Sequence, residues 1–340
     1  MIPGPRWLLA LALAMAWALV LAGCGTEHLP SAPSTPTGPA LLLAFTSNRP
    51  PSTVSTLDLY FKDISSDEAA FRVPNIGSTT TTDGPCALAG DGRTMAFFTD
   101  RFYFGTAAQI ILYDVASGQP RVLPSLQLTV NVTNPSLDMT GQRLAYQQQI
   151  GGPFEQSVVL RNARADTVID TPSLNELGVT NFDPSLNGDG TLIAFASNGS
   201  RSMGAFDILL YSVPADSFIP LPGLNSTDND LGASISADGR YIAFQSGHPG
   251  GAGIIDVYVY DRVTATLLPL PGLNTVLSEV QPCISPDGRY LVCSTESQGA
   301  RDIRLYDIQQ RTLLSLTHTN DPVYYDAFPV ISQLPPVIAR

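Results

Sequence analysis

The sequence predicts an all-β protein: a six-bladed β-propeller with four antiparallel strands per blade, the last blade closed by strands from the two ends of the chain. Three observations carry this. A short motif returns at a 49-residue spacing, marked by Gly92, Gly141, Gly190, Gly239 and Gly288. Each copy holds short apolar runs separated by turn residues, with no sustained 3.6-residue periodicity. Half-motifs lie at the two ends, and residues 41–332 span 292 positions against 294 for six periods. A period of this length means a solenoid, an array or a propeller, and a four-strand unit selects the propeller.

Within a copy, the first run carries a small residue (Ala87, Ser136, Ser185, Ser234, Cys283) and then an aliphatic one (Leu88, Leu137, Leu186, Ile235, Ile284). Small side chains suit a place where wedges converge on an axis. In the copy at 234–246 this first strand is expected at 234–236. Asp-Gly follows as a tight turn, because glycine accepts positive φ without steric cost. The second run pairs alanine with an aromatic: Ala96-Phe97, Ala145-Tyr146, Ala194-Phe195 and Ala243-Phe244, with Val292-Cys293 in the last copy. The third run, clearest at 207–211, 256–260 and 302–306, begins with Asp and ends with Tyr; the fourth is expected at 217–221, 266–270 and 312–316. Asp114, Asp261 and Asp307 lead out of the third run into turns, where Asp hydrogen-bonds locally. The run 41–47 matches a second strand with no first strand before it, and 329–332 matches a first strand with no second after it. Joined, they complete the ring and remove two free sheet edges.

Residues 1–23 read as a targeting segment: Arg6 is its only charge, and the apolar run 7–20 is shorter than the ~20 residues of a membrane-spanning helix. Leu21-Ala22-Gly23-Cys24 resembles a bacterial lipobox, which implies cleavage before Cys24 and its lipidation. Gly25 in place of Asp implies the outer membrane under enteric-type sorting. Residues 24–40 are then a lipidated cysteine with a Pro/Ser/Thr tether, 41–332 the propeller and 333–340 a C-terminal tail. The segment PCISPDGRY at 282–290, followed by a strand and then the Asp-Ile-x-Leu-Tyr-Asp pattern, resembles the TolB-type propeller repeat. The resemblance covers nearly all of 41–332. It implies six four-stranded blades and protein contacts in the bacterial envelope. It departs from TolB in two ways: TolB carries an α/β domain before its propeller and is soluble in the periplasm, whereas here a lipobox and a tether precede the first strand.

Composition narrows the partners. The net charge is −12 and Lys62 is the only lysine, which argues against nucleic acid and against electrostatic attraction to anionic lipid. Beyond Cys24 there are three cysteines, Cys86, Cys283 and Cys293. A hairpin turn at 286–288 sets Cys283 opposite residue 291 or 292, so Cys283 and Cys293 are expected to be unbridged, and all three to be buried free thiols. No G-x-S-x-G, C-x-x-C or H-E-x-x-H motif occurs, and the histidines His28, His248 and His318 are scattered. No cofactor is expected. The acidic composition leaves bound calcium open; Asp228-Asn229-Asp230 matches part of a calcium loop but lacks the spaced acidic ligands and the terminal glutamate, and plain loop polarity is the better account of it.

The short first-to-second and third-to-fourth turns belong to one face of the ring, and the long second-to-third loops and inter-blade connections to the other. Function sits preferentially on loops held by a rigid scaffold. The candidate partner-binding face is therefore the long-loop face. Arg101, Phe102, Tyr103 and Phe104 form an aromatic-arginine cluster of hot-spot type there, with Arg201, His248, Glu296, Arg301, Tyr324 and Asp326 as neighbours. The expected function is a lipid-anchored envelope scaffold that binds an envelope protein and meets the membrane only through its lipid. The alternative is a glycan- or polyuronate-active lyase or hydrolase on the same face, with His248, His318, Arg101 and Arg301 converging. A convergent polar pocket favours catalysis, and a broad apolar or aromatic patch favours docking.

Overall fold

The computed structural model describes residues 40–50, 56–77, 82–100, 109–126, 131–151, 155–248, 250–297, 300–320 and 323–340. They build six four-stranded antiparallel sheets. Blades 1 to 5 occupy 83–122, 132–169, 181–219, 230–267 and 279–314, each running outward from the axis in chain order. Blade 6 takes its innermost strand, Asp326–Gln333, from the C-terminal end and its other three, Leu41–Ser47, Asp58–Asp63 and Phe71–Arg72, from the N-terminal end. Leu41 pairs with Gln333 and Leu43 with Ile331, so the predicted closure is present residue by residue.

Packing between blades supplies the core. Ile208 and Leu210 of blade 3 meet Ile235, Ile242 and Phe244 of blade 4 in one buried cluster, and each such side chain contributes roughly 1.5–3 kcal/mol. The tyrosine next to last in the third strand is buried for a polar reason as well. Tyr113, Tyr260 and Tyr306 reach back to the preceding blade and donate to the carbonyls of Pro74 (3.1 Å), Pro222 (2.8 Å) and Pro271 (3.3 Å).

The innermost strands begin earlier than the apolar pattern predicts. In blade 4 the strand is Asp230–Ile235, because its register against the second strand shifts between Leu231 and Ser234. Equivalent shifts occur in the other five blades. Asn134, Asp183, Gly232, Gln281 and Phe328 sit at these irregularities with φ between 48° and 63°. Such a bulge breaks the two-residue alternation on which a sequence reading depends. The outermost strands are shorter than predicted, ending at Ile219, Leu267 and Leu314. Pro220 and Pro269 stop the first two, since proline cannot donate to a ladder.

The inner edge of each first strand faces the axis and has no further strand to pair with, so its N–H groups need other partners. Three devices deal with them. Just after the bulge stands proline, which has no N–H, in five of six blades: Pro85, Pro135, Pro184, Pro282 and Pro329, with Ala233 in the sixth. Two residues further on, the N–H donates to the small residue of the preceding blade: Leu186 to Ser136 Oγ (2.8 Å), Ile235 to Ser185 Oγ (3.1 Å) and Ile284 to Ser234 Oγ (3.0 Å). Cys283 takes the same place toward the Ile331 N–H of blade 6. At the short-turn end, the N–H groups of Met139, Gly188 and Ala237 donate at 2.9 Å to Gly188, Ala237 and Pro286 of the following blade. The small-residue column is thus a hydrogen-bonded belt as well as a steric necessity.

Candidate partner-binding face and axial channel

On the long-loop face, buried carboxylates hold the loops by their backbones. Asp207 accepts from the N–H groups of Met203 (2.7 Å) and Gly204 (3.1 Å), and Asp256 from those of Ala252 (2.5 Å) and Gly253 (3.1 Å). Asp230 accepts from Ser226 N–H at 2.7 Å, and burial raises its carboxyl above the ordinary range. Glu279 accepts from the N–H of Thr275 (2.9 Å) and the hydroxyls of Thr275 (2.7 Å) and Thr295 (3.1 Å). A second column works from the connections. Asn175, Asn225, Asn274 and Asn320 each accept from the N–H and donate to the carbonyl of one third-strand residue, Val158, Ile208, Val257 and Ile303 respectively. Each asparagine stands in for a paired strand. The recurring Leu-Asn in the connections (Leu174-Asn175, Leu224-Asn225, Leu273-Asn274) was the available sequence signal for it.

The predicted site residues separate into three places. Arg201 pairs with Glu176, and its guanidinium lies 4.2 Å from the Phe218 ring centre, beside a cavity on the outer part of blade 3. His248 lies on blade 4 with its ring 5.8 Å from Tyr258. Glu296, Arg301, Tyr324 and Asp326 gather where blades 5 and 6 meet. There Arg301 pairs with Glu296 and lies 5.1 Å from the Tyr325 ring. Buried Asp326 pairs with Arg49 at 2.7 Å, and Arg49 lies within 5.6–5.8 Å of the rings of Phe45, Tyr60 and Tyr324. Burial raises the Asp326 carboxyl, against the opposing pull of Ser47 and Arg49. Arg49, which the sequence reading passed over, ties the closing blade together. His318 faces Asp67 (3.5 Å), in the third-to-fourth turn of blade 6 on the opposite face, so it does not converge with His248. Cys24 and the cluster Arg101, Phe102, Tyr103 and Phe104 lie outside the described residues.

The long-loop face exposes polar and charged side chains, Arg201, Asp228 and Glu296 among them, and also a set of aliphatic ones. Leu177, Met203, Ile254, Val276, Leu277 and Val323 all project from its loops, whereas the short turns expose Val263. Among the described residues no group of three or more His, Cys, Asp or Glu side chains is placed to hold a metal ion. In the calcium-like triplet, Asp230 is turned inward to the Ser226 N–H and only Asp228 and Asn229 reach the surface.

The axial channel holds a cavity of about 200 Å³ toward the short-turn face, lined by the proline ring and by Gly90, Met139, Gly188, Ala237 and Pro286. Asp138 is the one charged side chain among the described residues lining it. Cys86 and Cys283 also line it, unbridged, with burial pushing both thiols up. Cys86 and Cys293 are buried as expected, while Cys283 is partly exposed and pairs across the hairpin with Val292. The bulge residues ring the channel next to this cavity, and two of them, Gln281 and Phe328, line it. Asn134 donates to Gln147 (3.0 Å) and Asp183 (2.6 Å), while Gln281 accepts from Ser294 Oγ (3.0 Å) and from the Phe328 N–H (3.0 Å). Asp183 is the one carboxylate of that ring. Burial raises its carboxyl from 3.8 to about 6, against the opposing hydrogen bond from Asn134.

A ring of six four-stranded blades, closed by strands from both ends around a narrow channel, defines a six-bladed propeller, and its build is TolB-like. Over 98% of this chain and 74% of the other, the structure is similar to TolB from Acinetobacter baumannii (TM-score 0.65, 18% identity). It is similar to a putative TolB from Agrobacterium tumefaciens over 88% of this chain and 99% of that one (TM-score 0.55, 12% identity). A chain of a nidogen/laminin complex shares the fold over 87% of this chain and 98% of its own length (TM-score 0.59, 10% identity). No protein-family model and no curated protein matches the sequence. At these identities the likeness is one of fold, and folds of this kind host many functions.

Proposed function

We propose that the chain is a lipid-anchored envelope propeller that serves as a protein-binding scaffold through its long-loop face. The observation that carries this is the set of aliphatic side chains held out by that face on loops whose backbones are fixed by buried carboxylates and asparagines. Exposed apolar side chains on a rigid frame suit docking, because little ordering entropy remains to be lost on binding. The separation of His248, His318 and Arg301 speaks against the glycan-active alternative, which needs a base and its partners within hydrogen-bond reach of one substrate. The TolB-like fold is consistent with protein contacts. Anchoring through Cys24 rests on the lipobox.

A photo-crosslinking amino acid at position 254 is expected to give discrete protein adducts in intact cells, and the same group at 263, on the short-turn face, is not. Cys24→Ala is expected to move the chain from the membrane to the soluble fraction. Adducts only from 263, or unchanged membrane retention of Cys24→Ala, would refute the docking face and the anchor respectively.

A further inference from the structure

We propose that the long-loop face of blades 3 to 5 receives a protein partner through one lysine or arginine side chain seated between aliphatic groups, with Asp228 as its counter-ion. The inference rests on the docking role above and specifies the chemistry of the partner. A cavity of about 190 Å³ opens there, with Asp228 and Asn229 on one side, Leu231 and Ile255 as aliphatic walls, and Gln245 and Gly247 completing it. Asp228 is exposed and has no cation partner among the described residues. On the same face Arg49, Arg201 and Arg301 are each already paired with a carboxylate, to Asp326, Glu176 and Glu296. The socket thus offers an uncompensated negative charge to a visitor.

The surrounding loops interlock, which makes the rim one surface. A Cβ on Gly204 would lie 2.4 Å from the Asp228 carbonyl oxygen, and one on Gly253 would lie 1.9 Å from that of Leu277. A Cβ on Gly247 would lie 3.6 Å from the Ile254 carbonyl oxygen and 3.8 Å from Asp228 Cβ. Glycine at 204 and 253 is what permits this approach. Met203 (69% exposed), Ile254 (82%) and Val276 (84%) are carried by these interlocked loops. A lysine or arginine matches both parts: its methylene stem packs on Leu231 and Ile255 while its head meets Asp228. A calcium ion is a poor match, because it takes six to eight oxygen ligands. The chain's net charge of −12 favours a basic partner and opposes an anionic bilayer.

The test is a random-peptide display selection on the full chain in detergent, run in parallel on Asp228→Asn. Wild type is expected to enrich peptides with one Lys or Arg between aliphatic residues, and Asp228→Asn is expected to keep the aliphatic preference and lose the cation. For an arginine-bearing peptide from the selection, replacement of that arginine by citrulline should weaken binding about tenfold or more. Asp228→Asn should weaken it equally, with no further loss when both changes are combined, and Ile254→Ser with Val276→Ser should weaken both peptides. Enrichment without a cation, identical selections on the two chains, or heat of Ca²⁺ binding abolished by Asp228→Asn would overturn the proposal. Crosslinks from position 254 in cells alongside cation-free selections would remove the socket and leave the docking role. A clean cation signature without crosslinks would do the reverse.

Discussion

Asp183 holds a carboxylate in the ring around the axial channel at a cost that can be measured. Among the described residues only the Asn134 amide supports its charge, and burial raises its carboxyl from 3.8 to about 6. A shift of that size corresponds to about 3 kcal/mol, and partial exposure to channel water reduces it to roughly 1–3 kcal/mol. The sign follows from proton counts. Between pH 4 and 6 the native chain holds a proton at Asp183 that the unfolded chain has released, so this group's contribution to stability falls as pH rises through that window and reaches its full penalty above pH 6. Asp183→Asn removes the charge and keeps an oxygen for the Asn134 amide. The variant should match wild type at pH 4 and exceed it by roughly 1–3 kcal/mol at pH 7. Urea denaturation of both proteins at pH 4, 5, 6 and 7 measures the difference, in which the titrations common to both cancel. A variant that is no more stable at pH 7 than at pH 4, relative to wild type, would refute the account of Asp183 as a desolvated, poorly compensated carboxylate.

Two further substitutions test the ring itself. Ala233→Pro places proline where the other five blades have it, so it should be tolerated and should stabilise by about 0.4–1 kcal/mol in thermal or urea unfolding; a loss of stability would mean that the Ala233 N–H has a partner. Arg49→Met leaves the Asp326 carboxylate buried without its cation and should cost roughly 3–5 kcal/mol, part of which a second change, Asp326→Asn, should restore. A loss under about 1 kcal/mol would show that Arg49 does not hold the closing blade.

The sequence shows which residues fall in the long loops, and the contacts they make there were not legible in it. Asp207 and Asp256 were visible as strand-opening residues, but their capping of loop N–H groups depends on how each loop folds back over its strand. Asp228 and Asp230 look alike in sequence, and only burial separates them: one faces the surface and the other closes on Ser226. Arg49, Glu296, Arg301 and Asp326 come together because blade 6 is built from both ends of the chain, which brings residues 277 apart within 2.7 Å.

By itself the sequence determined the number of blades, the closure between 41–47 and 329–332, the Asp-Gly turns and the placing of Cys283 opposite residue 291 or 292. Each of these follows from periodicity or from contacts within a few residues. Tertiary structure alone decided that the serine column accepts N–H groups from the next blade, that the recurrent proline spares an edge with nothing to pair, and that the long loops expose both aliphatic side chains and Asp228. The physical reason is that these contacts join residues one repeat apart or more, on different blades, so they exist only once the ring has closed and given every inner edge a neighbour.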